Sequence, residues 1–257
     1  MKIAILGAGR MGTWFIKELS RDHELCFYDI DNTKAAKIGN IPQLRDYSEL
    51  KTFEPELLIN AVSIKNTFTA FESASSFIPE NCIISDIMSV KGGISDYYEQ
   101  CGFPFASIHP MFGPTFTNTS PLHNENVIVI EESCHKGARF FKNFFKKLEL
   151  NIFECPFREH DKIMARSLTL PFASVMLFAD SVDDFGVPGS TFKKILNIAK
   201  GLLSENENLL SEILLNSYSL PQLEKMAANL EGLKKIIEDK DSGKIKKSLE
   251  QMRKKIM

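Results

Sequence analysis

The sequence predicts an α/β protein in which a doubly wound, mainly parallel sheet is followed by an all-helical region. Three observations support this prediction. An apolar strand at the start of the chain runs directly into a Gly-x-Gly-x-x-Gly turn, the first 155 or so residues alternate strands with helices, and helical periodicity replaces the strand signals after Pro156. We therefore divide the chain into residues 1–155 and residues 156–257, with the boundary near Cys155 and Pro156.

The first predicted strand ends in the turn Gly7-Ala8-Gly9-Arg10-Met11-Gly12. In such a turn the first glycine permits the tight bend, the second lets the backbone approach a pyrophosphate, and the third allows the helix to pack closely on the strand. The N-terminus of that helix offers free N–H groups and a positive dipole end to phosphates. These features favour a Rossmann dinucleotide-binding domain over an ordinary turn.

The second predicted strand, residues 24–29, ends in an acid about 20 residues past the glycine triplet, at the distance typical of a ribose-binding carboxylate. Asp29 would accept hydrogen bonds from the ribose hydroxyls and repel a 2′-phosphate. No Arg follows it directly, and Lys34 is the only nearby cation. We therefore expect NAD as the cofactor, with NADP as the alternative.

The remaining elements of the sheet region follow from short apolar runs that alternate with helical patterns. After a helix over residues 32–38, strands are predicted over residues 57–62, 82–86, 105–108, 126–130 and 151–154, and further helices over residues 66–77, 92–100 and 135–147. This alternation is typical of a mainly parallel sheet with helices on both faces.

Helical spacing of apolar residues continues from Glu159 to Ile256. Residues 173–179 are apolar on nearly every side, which predicts a helix buried all round, in part against a second copy of the chain. Breaks are expected at residues 186–189 (Gly-Val-Pro-Gly) and at residues 239–243.

Composition excludes several classes of function. The net charge of −2 gives no basic field for a nucleic acid. No apolar run is long enough to cross a bilayer and no signal peptide is recognisable, so we expect a cytoplasmic protein without a membrane partner. The five cysteines are scattered, and neither they nor the five histidines have metal-ligand spacing, so no metal is expected.

Ligands of a doubly wound sheet bind beyond the carboxyl ends of its strands. Three segments lie at such ends: residues 62–67, whose Val62, Ser63, Ile64 and Thr67 are expected on the nicotinamide side, residues 85–92, and residues 109–114. In the third, two prolines and a glycine constrain the backbone around His109. An imidazole held there can accept a hydroxyl proton near neutral pH, the alternative being a histidine that only stabilises its loop.

The strings Ser89-Val90-Lys91, His109-Pro110-Met111-Phe112-Gly113-Pro114 and Glu159-His160-Asp161 together resemble the prephenate dehydrogenase family of tyrosine biosynthesis. The resemblance implies a Rossmann domain plus a helical dimerisation domain, and a small-molecule substrate, prephenate or arogenate, that is oxidised at its ring hydroxyl while carbon dioxide is lost. It implies His109 as the base, Ser89 as the residue that orients the hydroxyl or the imidazole, and Lys91 as a positive charge near the cofactor or the substrate carboxylates.

The chain departs from the family pattern at two positions. The second histidine of the family is absent from residues 167–172, and Gly201 occupies the position of its substrate-binding arginine. We expect Arg166 or Lys200 to replace that arginine, with His160 contributing a donor. Two alternatives stay open: a related dehydrogenase that acts on a different small acid, and a non-catalytic dinucleotide-binding regulator.

Overall fold

A computed structural model describes residues 1–113, 122–183 and 186–257. Its sheet has seven strands in the order β2-β1-β3-β4-β5-β6-β7. The strands are β1 (Lys2–Leu6), β2 (Glu24–Tyr28), β3 (Leu57–Asn60), β4 (Ile83–Asp86), β5 (Phe105–Pro110), β6 (Asn126–Ile130) and β7 (Asn151–Cys155). β1 to β5 run parallel, β6 pairs antiparallel with β5, and β7 runs parallel to β6. The predicted mainly parallel, doubly wound sheet is confirmed.

Helices connect the strands on both faces of the sheet. They are α1 (Arg10–Leu19), α2 (Leu50–Phe53), α3 (Thr67–Ser75), α4 (Ile94–Gln100) and α5 (His135–Lys147), with 3₁₀ turns over Asn32–Lys37, Tyr47–Glu49 and Ile64–Asn66. The first of these 3₁₀ turns lies where a helix over residues 32–38 was predicted. The chain order reverses between β1 and β3, the kind of switch point at which doubly wound sheets bind ligands.

Alternation along β1 divides the core between the two faces of the sheet. Ile3 and Ile5 pack with Phe15 and Phe141 on one face, whereas Ala4 and Leu6 pack on the other. The second face is completed by aromatic and aliphatic side chains of α3 and α4, namely Phe71, Ile94 and Tyr98. Burial of both faces agrees with the near-continuous apolar strands.

The helical region begins at Phe157, directly after β7. Its elements are α6 (Phe157–Met164), a π-helical segment (Ala165–Thr169), α7 (Leu170–Asp180), α8 (Ser190–Leu203), α9 (Glu207–Leu214), α10 (Ser219–Glu238) and α11 (Ser242–Ile256). The break predicted at residues 186–189 lies before α8. Of the break predicted at residues 239–243, residues 239–241 lie between α10 and α11, and the last two residues begin α11.

Within one chain the apolar helix α7 is buried only in part. Only Ala173 is buried, and the Leu177 side chain is 52% exposed. Within the chain α7 packs along part of its surface, against α8, α10 and the π-helical segment, and its burial against a second copy stays a prediction.

The continuous helical segment Phe157–Asp180 has 24 residues, and an 18-residue window within it has a mean hydropathy of 1.3. By length and composition it could cross a bilayer, so the expectation that no segment is long enough was wrong for this one. Its sequence pattern alone is weak evidence of a membrane span, because core helices of soluble proteins share it.

Candidate functional site

The glycine turn after β1 forms a cradle at the carboxyl edge of the sheet. Gly7 has a φ of +88°, and a Cβ there would lie 2.9 Å from the backbone of Ala61 and Val62. A Cβ on Gly12 would lie 1.9 Å from the Gly7 carbonyl oxygen. Around Gly9, by contrast, no described atom lies within 4 Å of the Cβ position, and no side chain caps α1. Two glycines therefore permit close packing, and Gly9 leaves space at the helix N-terminus that fits a pyrophosphate.

Asp29 follows β2 and faces this turn. Its carboxylate accepts a hydrogen bond of 2.6 Å from the Ala8 N–H and one of 2.9 Å from the Asp31 N–H. The Lys34 Nζ lies 3.3 Å from Asp29 Oδ2. The acid is therefore placed where a ribose-binding carboxylate is expected, and a lysine partly neutralises it.

The segment after β3 lies against the turn, because the Gly7 Cβ position contacts Val62. Asn60 Nδ2 donates to the Thr67 carbonyl at 2.9 Å, and Thr67 Oγ1 donates to the Ser63 carbonyl at 3.4 Å. Thr67 is buried, Val62 and Ile64 are half-buried and Ser63 is exposed. These bonds hold the segment at the carboxyl edge, next to the predicted dinucleotide site.

His109 lies within β5, which extends two residues further than predicted. Phe112 of the same motif packs on Trp14 of α1, with ring centroids 5.2 Å apart. Pro114, the last residue of the motif, lies outside the described residues. Packing on α1 therefore places the residues after His109 beside the helix that begins at the glycine turn.

Three side chains form a hydrogen-bonded chain that ends at His109. The His109 Nδ1 lies 3.0 Å from the His160 Nε2, and the His160 Nδ1 lies 2.8 Å from the Asp161 Oδ1. Both imidazoles are buried, at 3% and 0% exposure. Because a carboxylate can only accept, His160 donates from Nδ1 to Asp161 and, when neutral, accepts at Nε2. His109 then carries its proton on Nδ1, and its Nε2 is left as the acceptor.

A second buried network lies beneath this chain. The Lys91 ammonium donates to Asp86 Oδ2 at 2.5 Å and to the Ile108 carbonyl at 2.7 Å, and the Tyr98 hydroxyl donates to Asp86 Oδ1 at 2.8 Å. The Lys91 backbone N–H donates to Asp161 Oδ1 at 2.7 Å. The two networks therefore meet at Asp161.

Burial sets the protonation of this site. It lowers the pKa of His109 well below the ordinary value of 6.5, and the neighbouring His160 and the Lys91 cation lower it further. Burial also lowers the pKa of His160, although the hydrogen bond to Asp161 opposes the change. Both rings are therefore neutral near pH 7, which is the state in which the tautomer assignment holds.

Three predicted site residues are placed differently from expectation. The Lys91 side chain is 1% exposed and paired with Asp86, so it does not present a charge to a ligand. His160 is fully buried behind His109, so it is no substrate-facing donor. Ser89 is half-buried, and in the described part of the chain the His109 imidazole is bonded to His160 and not to Ser89.

The two predicted replacements for the missing arginine, Arg166 and Lys200, are both exposed. Within the described ranges neither forms an ion pair. Lys200 lines a groove of about 330 Å³ whose described lining residues all belong to the helical region. Arg166 lies in the π-helical segment, a distortion that often occurs near functional sites. The structure therefore leaves both cations available but joins neither to His109.

Contacts with the helical region close one side of the cradle. The Arg10 side chain of the glycine turn pairs with Glu205 after α8, at 3.2 Å. The Lys65 backbone N–H donates to Glu212 of α9 at 3.2 Å.

Asp161 and Asp86 are site residues that sequence reasoning did not select. The sequence does contain features that indicate them, since Asp161 directly follows His160 and Asp86 is the last residue of β4.

Comparison with known protein sequences identifies a matching family model and a curated relative. The family model described as prephenate dehydrogenase, nucleotide-binding domain, matches residues 13–150. A protein of Methanocaldococcus jannaschii described as a "probable arogenate/prephenate dehydrogenase" is 25% identical over 202 residues, which are 72% of this chain and 44% of that relative. The chain thus spans less than half the length of this curated relative.

Two solved structures share the fold over the whole chain. Prephenate dehydrogenase from A. aeolicus, in complex with hydroxyphenyl propionate and NAD+, has a TM-score of 0.84 at 21% identity, covering 100% of this chain and 97% of that one. Synechocystis arogenate dehydrogenase has a TM-score of 0.74 at 19% identity and full coverage of both chains. The predicted fold class, a mainly parallel sheet followed by a helical region, is confirmed.

Proposed function

Because this chain belongs to the prephenate dehydrogenase family, we propose that it is an NAD-dependent dehydrogenase that oxidises and decarboxylates prephenate or arogenate. One observation above all supports this proposal. The His109 imidazole is held neutral, with Nε2 as its acceptor, at the sheet edge that also carries the glycine cradle. A base and a dinucleotide site on one edge are what alcohol oxidation requires.

The residues that would hold the cofactor are the turn Gly7–Gly12, Asp29 and the segment Val62–Thr67. Backbone N–H groups of α1 would donate to the pyrophosphate, and the Asp29 carboxylate would accept from the ribose hydroxyls. Bound there, NAD supplies the acceptor for the hydride that leaves the ring carbinol carbon.

His109 accepts the hydroxyl proton at Nε2 as the carbinol carbon is oxidised. The resulting imidazolium donates from Nδ1 to His160, and the negative charge of the Asp161 carboxylate behind His160 offsets part of the cost of a buried cation. Loss of carbon dioxide then makes the ring aromatic. A positioned base of this kind contributes about 10²–10⁴-fold to the rate.

The substrate carboxylates need cationic partners, and Arg166 and Lys200 are the proposed ones. Both are exposed and neither forms an ion pair within the described ranges, so either can turn towards a ligand. In the described residues no hydrogen bond or ion pair joins either cation to the His109 site, and this separation favours the second candidate function, oxidation of a different and less charged acid by the same base and cofactor.

The helical region is proposed to form a homodimer. Large apolar side chains on α10 and α11 are exposed in the single chain, among them Leu230, Leu233, Ile237, Leu249, Met252 and Ile256. A surface of this kind is typical of an obligate interface. A cytoplasmic location stays a prediction.

The test is to mix the purified protein with NAD or NADP and with prephenate or arogenate, and to follow formation of the reduced nicotinamide. Turnover with one of the two acids supports the proposal. Cofactor binding without turnover of either acid contradicts the proposed substrates, and a screen of other small hydroxy acids then separates the second candidate function from a non-catalytic dinucleotide-binding regulator. Failure to bind either cofactor overturns the proposal.

A further inference from the structure

The buried chain at His109 joins the two regions of the protein. His109 lies on β5 of the sheet, whereas His160 and Asp161 lie on α6 of the helical region. Asp161 decides which ring nitrogens donate and which accept in this row of three hydrogen-bonded side chains. Its carboxylate can only accept, whereas each neutral imidazole has one donor and one acceptor nitrogen.

Asp161 is held from three sides. Its Oδ1 accepts from the His160 ring at 2.8 Å and from the Lys91 backbone N–H at 2.7 Å. Its own backbone carbonyl accepts a 2.8 Å hydrogen bond from the side chain of Asn216, which follows α9. The carboxylate therefore has a fixed position and no freedom to donate.

We propose that Asp161, acting through His160, is the positioning residue that keeps the proton of His109 on Nδ1 and leaves Nε2 as the acceptor. The proposal rests on the proposed role of His109 as the base. It goes further in assigning the state of that base to a residue of the helical region, so that the working tautomer exists only where α6 is docked on the sheet.

The surrounding charges agree with this role. The Lys91 ammonium near the two histidines is paired with Asp86, and Asp86 also accepts a hydrogen bond from the Tyr98 hydroxyl. These three groups balance each other and none of them bonds to either imidazole. Asp161 is thus the one carboxylate in the described residues that is hydrogen-bonded to the histidine pair.

The first test reads the tautomer directly and needs no turnover. Two-dimensional ¹H–¹⁵N spectra of the histidine rings, assigned with His109→Gln and His160→Gln, report which ring nitrogen carries the proton. We expect His109 of the wild-type protein to be protonated on Nδ1 and bare on Nε2. In Asp161→Ala the proton should redistribute towards Nε2. A wild-type His109 protonated on Nε2, or an unchanged spectrum in the variant, overturns the proposal.

The second test uses kinetics with graded variants. Asp161→Ala removes the anchor, and we expect kcat to fall by about 10²–10⁴-fold with KM unchanged. Asp161→Asn keeps an acceptor oxygen but removes the charge, so kcat should fall less and the acidic limb of the pH profile should move to lower pH. The exposed Asp180→Asn serves as the matched control. Equal activity in all three variants contradicts the role of Asp161.

The third test compares two variants of His160 and uses NAD binding to show that both are folded. His160→Gln retains an acceptor for the His109 Nδ1–H, whereas His160→Ala does not, so the glutamine variant should keep more activity while both bind NAD like the wild-type protein. An equal loss of activity in both variants contradicts the proposal that His160 positions His109 by accepting its Nδ1 proton. If the wild-type protein turns over no acid, the proposed function fails, and the spectra still decide the tautomer.

Discussion

The imidazole of His109 meets the imidazole of His160 across the seam between the sheet and the helical region, with 3.0 Å between Nδ1 and Nε2. The two residues are 51 positions apart in sequence. Packing of α6 on the sheet therefore sets the hydrogen bonding of the His109 ring.

The first prediction concerns the base itself. His109→Gln should lower kcat by about 10²–10⁴-fold, because glutamine cannot accept the hydroxyl proton. NAD affinity should hardly change, since the cradle is built by other residues. Steady-state kinetics and a fluorescence titration with NADH measure the two quantities. His135→Gln, at an exposed position, is the control, and full activity of His109→Gln would remove this residue from the mechanism.

A pair of glycine variants should separate packing from ligand binding. In Gly12→Ala the new methyl group would lie 1.9 Å from the Gly7 carbonyl, so the backbone must move and the protein should lose about 1–3 kcal/mol of stability. In Gly9→Ala no described atom is met within 4 Å, so the fold should persist. The methyl group there occupies the space assigned to the pyrophosphate.

We therefore expect Gly9→Ala to melt like the wild-type protein but to bind NAD at least about tenfold more weakly, or about 1.4 kcal/mol. Thermal melting and calorimetric titration measure the two effects. Normal NAD binding by Gly9→Ala would show that the dinucleotide does not approach this part of the turn.

The sheet region was largely predictable because its signals are local. Apolar strands, the glycine triplet and the acid at the end of β2 each follow from a short stretch of sequence, and β6 and α5 have the predicted bounds. β5 was predicted too short because Pro110 normally opposes a strand. Here it pairs with Val127 of an antiparallel neighbour near the end of the strand.

The helical region and the histidine chain were less predictable because they depend on tertiary contacts. The sequence does not reveal that Lys91 turns inward to Asp86, since a lysine after a strand is exposed in most proteins. It also does not reveal that the His160 ring lies behind His109 and not beside a substrate, because that arrangement requires the docking of α6 on β5. Composition alone also does not separate a fully buried helix from one that is partly exposed in the single chain, such as α7.

The Asp29–Lys34 pair should tune cofactor preference. NAD is expected to be favoured, because Asp29 accepts ribose hydroxyls and repels a 2′-phosphate. Lys34→Ala removes the cation 3.3 Å from that carboxylate, so NADP affinity should fall more than NAD affinity. Asp29→Ser should instead reduce the difference between the affinities for NAD and NADP, because serine does not repel the 2′-phosphate. Dissociation constants of both cofactors test this, with exposed Lys146→Ala as control. A stronger NADP preference in Lys34→Ala would contradict the assignment.

The exposed apolar side chains of α10 and α11 should mediate dimer formation. Leu233→Glu combined with Ile237→Glu places charges on that surface and should convert a dimer to monomers without unfolding the sheet region. Light scattering gives the mass, and NAD binding reports the intact cradle. Lys240→Glu, which changes charge in the turn between the two helices, is the control. A wild-type protein that is monomeric at micromolar concentration rules out this interface.

Acid should destabilise the protein through its buried histidine pair. Burial lowers the pKa of both His109 and His160 below 6.5, so between 6.5 and the lower folded values the unfolded chain binds more protons than the native one. The free energy of unfolding must then rise with pH across that window and fall as the solution is acidified below about 6.5. Urea unfolding at a series of pH values measures this slope. The double variant His109→Gln/His160→Gln lacks both groups and should show a shallower slope. An identical slope in the double variant would mean that these rings are not held neutral by the fold.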